Sequence, residues 1–323
     1  MDSVRSVVKV FLAHSFRHSR ATHCWGKITD INPKVSLEKN MPKIAFVTDS
    51  TSFLPSELIK KHNITVTPQL LIWGEETYQD GVDIQPDEFY ARLTTAKTMP
   101  TTSQVPPLVM QSAFQNLVDQ GYEVIGFFVS SKFSGTVQSA IQGKKAMGSA
   151  GEKVTVVDSL ATSMNLGLIV LAAARAAENG SNLSECLAVA EKTRKNSGLY
   201  FAVDTLEFLH RGGRIGGAQR FIGSALNLKP ILALVDGKVE GIERIRTKSK
   251  AHNRLIELVA EQVAGKSNIR LAALHANASK DAKILLDRTA QLLNPIEDIF
   301  AEVSPVVGTH TGPGTVGIAY SFE

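Results

Sequence analysis

The feature that most limits the folds open to this chain is a regular alternation, from Met41 to about Asn196, of short apolar runs with helical patterns. KIAFVT, ITVTPQLLIW, EVIGFFVS and KVTVVDS have the length and the β-branched or aromatic content of buried strands. PSELIKKH, QPDEFYARLT, the stretch from the Pro106-Pro107 pair to Asp119, and SGTVQSAIQGKKAM have the pattern of intervening helices. Strands separated by helices predict βαβ units and a mainly parallel sheet covered on both faces. Ligands of such sheets collect beyond the carboxyl ends of the strands. That rule points to Asp49-Ser50-Thr51, to Thr101 through Gln104, and to Ser130 through Thr136.

After Gly198 the pattern changes. LYFAVDTL and PILALVDGKVEGIERI read as strands, with Asp236-Gly237 as a hairpin signal. Helical patterns follow at 248–264 and 279–292, then strands at IRLAALHA, IEDIFAEV and VGIAYSF. This half predicts an α+β arrangement. A chain of 323 residues exceeds one ordinary core, so two domains are expected, over 41–197 and 198–323.

Residues 1–40 stand apart. They lack sustained periodicity and carry seven Lys/Arg against three acids, which accounts for the whole formal charge of +4. Of 35 bases and 31 acids, the remaining chain keeps 28 of each. The acid-poor start is open to two readings: a transit peptide, or an upstream start leaving a poorly ordered tail before Met41. The neutral body argues against nucleic acid, whose binding rests on an excess of phosphate-neutralising charge. The longest apolar run, from Leu166 to Ala174, ends at Arg175, short of the roughly 20 residues that span a bilayer. No transmembrane segment is expected, although transient membrane contact stays open. Two cysteines, Cys24 and Cys186, offer neither a disulfide framework nor a Cys-based zinc site. A reducing cytoplasm is the simplest compartment.

Three polar segments are candidates for binding. SSKFSGT, with Ser134 and Gly135, follows a buried strand and opens a helix, where hydroxyls and free amides favour an anion or simply cap the helix. PTTSQ, with Thr102 and Ser103, precedes the helix at Pro106 and invites the same two readings. HTGPG sets His310 beside a Gly-Pro-Gly turn, as expected where backbone approaches a ligand. HRGGRIGG lies in the densest basic stretch of the body, which suits an acidic or phosphorylated partner or a solvated face. Gly265-Lys266-Ser267 fails as a P-loop because Ala260 stands at the upstream glycine, and neither GxSxG nor HExxH occurs. The acids Glu75, Glu76, Asp80, Asp83, Asp87 and Glu88 fit no calcium loop; a hairpin and an acid-rich helix start explain them, and no metal site is expected.

Taken in order, KIAFVTDST, YQDGVDI, PTTSQ, SSKFSGT, VDTLEFLHRGGRI with LKPIL, and HTGPG resemble the DegV family over essentially all of Met41 to Glu323. Six motifs in one order and spacing are highly specific. The resemblance implies a Rossmann-like α/β N-terminal domain joined to a smaller α+β domain, with a long-chain fatty acid held between them and no further cofactor. It implies a non-catalytic partner of a bacterial fatty acid kinase, which phosphorylates the bound acyl carboxylate. It places the carboxyl-binding groups on Thr102 (or Ser103), Ser134 with Gly135, and His310, and arginines facing the kinase on Arg211 and, by a looser match, Arg246. The rival from another class is a lipid or ester hydrolase with Ser134 as nucleophile and His310 as base. That arrangement needs a third group to orient the base, and no acid is evident for the role.

Overall fold

Residues 43–223 and 228–323 are described by the structure, a computed structural model. The N-terminal extension expected over residues 1–40 lies outside them. The chain begins with β1 (Ile44–Asp49), α1 (Ser56–Lys61), β2 (Ile64–Thr67), β3 (Leu70–Trp73), β4 (Glu76–Gln79), α2 (Pro86–Leu93) and β5 (Thr101–Ser103). It continues through α3 (Pro107–Asp119), β6 (Glu123–Phe128), α4 (Thr136–Ala146), β7 (Val154–Asp158), α5 (Ser163–Glu178) and α6 (Leu183–Lys195). The second half holds β8 (Ser197–Ala202), α7 (Glu207–Arg211), β9 (Lys229–Val235), β10 (Lys238–Ile245), α8 (Lys248–Val263) and β11 (Arg270–His275). It ends with α9 (Ser279–Leu293), β12 (Glu297–Glu302), α10 (Pro305–Thr311) and β13 (Val316–Ser321).

The α/β class expected from the alternation is the one observed. A parallel sheet runs β2-β1-β6-β7. Successive side chains of its strands point to opposite faces. Ala45, Val47, Val124 and Phe128 therefore meet Met110, Phe114 and Leu117 of α3, while Phe46, Ile125 and Phe127 join the apolar set of α5. The second half forms a six-stranded sheet, β10-β9-β8-β13-β11-β12, antiparallel except for the last pair. Leu271, Ala273 and Ile318 on one face pack under α8 and α9, and Leu199, Phe201, Leu232 and Leu274 face the other way.

Helix α5 explains how the two sheets are joined. It touches β1 and β6 on one side and β8, β11 and β13 on the other, so nine consecutive residues from Ser163 to Leu171 are buried. A helix covered all round has no polar stripe, which is why its sequence lacks an amphipathic period. Arg175, near its end, closes a two-pronged pair with Glu297 of β12 at 2.8 and 2.5 Å.

One expected strand is two. ITVTPQLLIW breaks at Pro68-Gln69, since proline has no amide hydrogen for a ladder. Its halves are β2 in the parallel sheet and β3 at the centre of a small antiparallel sheet, β4-β3-β5. The acidic segment behaves as its sequence suggests: β3 and β4 form a hairpin, and Asp87 and Glu88 occupy the first turn of α2 behind Pro86. Asp236 and Gly237 turn between β9 and β10 with φ of 48° and 76°.

Candidate functional site

Strand order in the parallel sheet reverses between β1 and β6, so a crevice opens beyond their carboxyl ends. Asp49 closes β1 there. Its buried carboxyl accepts bonds from Val129 N (2.7 Å), Thr51 Oγ1 (2.7 Å), Thr51 N (2.9 Å) and Gln69 Nε2 (3.3 Å). Burial holds its pKa above the usual carboxylate value despite these donors. The arrangement pins Thr51, Gln69 and Val129, all of which line a cavity of about 220 Å³.

The cavity has two kinds of wall. Leu199, Phe201, Leu234, Val239 and Leu274 from the six-stranded sheet, with Phe53, Phe133 and Leu209, supply an apolar surface. Thr102, Ser103, Gln104, Ser134, Gly135 and His310 supply a polar corner. Thr102 and Ser103 sit on β5, which the small sheet carries to this edge. Ser134 and Gly135 precede α4, so all three loops singled out by the strand-end rule contribute to the lining. Gln104 bonds Ser139 Oγ at 2.8 Å and packs against Gly135, where any β-carbon would overlap its amide oxygen.

His310 and Thr102 are 208 residues apart, and their Nε2 and Oγ1 atoms meet at 2.8 Å. Burial, with a smaller contribution from the nearby Arg214 charge, pushes the imidazole pKa down to about 4, so His310 is neutral at pH 7. Ser134 Oγ bonds Thr136 Oγ1 at 2.8 Å and accepts from Thr136 N at 3.3 Å. The N-cap of α4 is Gly135, without a side-chain cap bond, so Ser134 closes a turn ahead of the helix and lines the cavity rather than capping.

The geometry does not assemble the hydrolase alternative. The hydrogen bond of His310 goes to Thr102, not to Ser134, and its Nδ1 is buried with no carboxylate or other partner. A serine nucleophile with neither a bonded base nor an orienting acid lacks the machinery for acyl transfer.

His310 stands beside the Gly-Pro-Gly turn, in the last turn of α10, which Gly312, with φ of 75°, ends. His310, Thr311 and Thr315 line the cavity, whereas Gly312, Pro313 and Gly314 do not. Arg211 and Arg246 are exposed and outside the lining, Arg211 pairing with Glu207 at 2.7 Å. The cation that does line the cavity is Arg214, held by Phe133 O (3.1 Å) and Gly212 O (2.7 Å). It belongs to the same HRGGR run, but sequence offers no way to rank two arginines three positions apart. Among the described residues no group of three or more His, Cys, Asp and Glu could hold a metal ion, and no helix is long and apolar enough to cross a membrane.

The YQDGVDI motif acts through α10. Asp80, buried and with its pKa raised by burial, accepts a bond from Val306 N at 3.1 Å in the first turn of that helix. Tyr90 Oη reaches Val303 O at 3.1 Å. The segment between β4 and the end of α2 thus seats the helix that carries His310.

Fold and site together define an α/β protein of three sheets with an amphipathic cavity, whose aliphatic and aromatic wall is accompanied by hydroxyls, the His310 imidazole and the Arg214 guanidinium. The chain belongs to the DegV family: the family profile described as "Uncharacterised protein, DegV family" matches residues 43–323. A DegV domain-containing protein of Streptomyces coelicolor is 36% identical over 280 residues, covering 86% of this chain and 98% of the relative. A DegV family protein of Thermus thermophilus, whose structure is described in terms of fatty acid binding, superposes with a TM-score of 0.82 at 35% identity, over 87% of this chain and all of that one. DegV of Bacillus subtilis, described as a fatty acid binding protein, gives 0.80 at 33% identity with the same coverage.

Proposed function

We propose that this protein holds a long-chain fatty acid, tail in the apolar part of the cavity and carboxyl group among Thr102, Ser103, Ser134, Gly135 and His310. The observation that carries the reading is one cavity that combines an aliphatic and aromatic wall with the bonded Thr102–His310 pair, further hydroxyls including Ser134, and the Arg214 guanidinium. The fatty-acid-binding description of structures at 33–35% identity supports it. Each buried CH₂ is worth about 0.8 kcal/mol, so a long tail contributes on the order of 10 kcal/mol before the cost of immobilising it. The tail sets affinity, and the polar corner sets direction.

In this reading residues 41–197 and 198–323 act as two domains gripping the lipid. The protein is a non-catalytic carrier that presents the carboxyl group to a fatty acid kinase for acyl phosphate formation, with Arg211 and Arg246 on the partner-facing surface. Their exposure is compatible with that role. In this reading the kinase brings the ATP, and the hydrolase alternative finds no support in the separation of Ser134 from His310's hydrogen bond.

Mass spectrometry of lipid extracted from the purified protein is expected to yield long-chain fatty acids at near one per chain. Thr102→Val and Ser134→Ala should each weaken palmitate binding about tenfold, the worth of one hydrogen bond to a charged acceptor. Extraction of a phosphosugar or of nothing would overturn the lipid reading. Acyl phosphate made from ATP and palmitate by this protein alone would overturn the carrier reading.

A further inference from the structure

His310 reaches Thr102 with one ring nitrogen and leaves the other without a partner, and the reason lies in the HRGGR run. Gly212 follows α7, which packs against α10. Its amide donates to Phe208 O (2.9 Å) and its carbonyl accepts from Arg214 (2.7 Å), so its backbone is held on both sides. Its φ of −75° is open to any residue. What the position requires is the absence of a side chain: a β-carbon there would overlap His310 Nδ1 and lie 2.9 Å from Cε1. The Cα of Gly212 therefore covers Nδ1, which is buried and has no hydrogen-bond partner.

A neutral imidazole carries one N–H. With the proton on Nδ1, a buried donor would point at a Cα and stay unsatisfied, the costly arrangement. With the proton on Nε2, that N–H donates to Thr102 Oγ1 at 2.8 Å, and the Nδ1 lone pair faces C–H hydrogens, a weak but favourable contact. Thr102 Oγ1 then already accepts, and its own hydrogen is free to point into the cavity. We infer that Gly212 is a positioning residue that fixes His310 in its Nε2-protonated form, turning the Thr102 hydroxyl into a donor toward an acceptor head group such as a carboxylate. This rests on the fatty acid reading for its ligand, though not for its tautomer. An opposite tautomer would make Thr102 donate back to the ring and leave its lone pairs for a ligand that donates.

Nitrogen-15 spectra of histidine-labelled, lipid-free full chain, with His310 assigned through His310→Gln, test the tautomer without any ligand. The expected result is Nε2 in the protonated range and Nδ1 in the unprotonated range; the reverse overturns the inference even if fatty acid binds. A double-mutant cycle tests the role of Gly212. In the Gly212→Ala background, which should bind palmitate about tenfold more weakly, Thr102→Val is expected to cost less than about twofold further, because the contact it removes is already lost. Additive losses would overturn the positioning role. If Gly212→Ala does not fold, the spectra of the unsubstituted protein decide. If no fatty acid binds the unsubstituted protein but the spectra are as expected, the ligand reading fails and the tautomer stands.

Discussion

Saturating the lipid-free protein with palmitate is expected to raise its unfolding free energy by about 4 kcal/mol when free ligand exceeds the dissociation constant a thousandfold. A ligand that binds only the folded state shifts the equilibrium by mass action, and the unfolded chain offers no cavity. Unfolding entropy of about 2.1 cal/mol/K per residue gives roughly 0.6 kcal/mol/K for the body spanning residues 43–323. The midpoint should therefore rise by about 7 °C. Because each methylene contributes about 0.8 kcal/mol, shortening the acid by four carbons should weaken binding by on the order of two hundredfold, removing most of the rise at the same concentration. Scanning calorimetry across a series of acids reads this directly. A shift that does not depend on chain length would mean that the apolar wall formed by Leu199, Phe201, Leu234 and Val239 does not hold the tail.

Acidification should expose the cost of burying His310. Its folded pKa of about 4 lies below the ordinary histidine value of 6.5. Above pH 6.5 both folded and unfolded states keep the ring neutral and the residue contributes nothing to pH dependence. As pH falls from 6.5 to 4 the unfolded state takes up a proton that the folded state refuses, so stability drops, by on the order of 3 kcal/mol once both forms are charged. Asp49 and Asp80 act with the opposite sign: burial raises their pKa, so they favour the folded state as pH falls through their folded values. The informative quantity is consequently the difference between the unsubstituted protein and His310→Gln, which keeps a hydrogen-bonding amide near Thr102 and removes the titration. Urea unfolding at a series of pH values should give a difference that grows from pH 6.5 to 4 and then levels. Parallel curves would mean that His310 is accessible to protons, contrary to its burial.

Much of the fold was legible because it rests on local periodicity. The β/α alternation, the hairpin at Asp236-Gly237 and the proline-led starts of α2 and α3 need only neighbours a few residues apart. Helix α5 was not legible in the same way: covered by two sheets, it carries no amphipathic signal. The α10 helix was hidden by its length of seven residues and by the Gly-Pro-Gly run that follows it. Likewise, strand-end logic found the loops bearing Thr102 and Ser134, but could not choose Arg214 over Arg211 as the cation beside the cavity. That choice depends on which side of a short helix faces inward.

By itself the sequence determined the kinds of elements, their order, and which polar loops fall at the open ends of strands, since hydrophobic pattern and turn chemistry act over short separations. Only the tertiary structure decided that β5 and α10 meet, that Thr102 bonds the His310 imidazole, and that Gly212 covers its far nitrogen. Those contacts, and the depressed proton affinity of His310, come from desolvation and packing between segments about a hundred or two hundred residues apart. No local pattern encodes a distance of that kind.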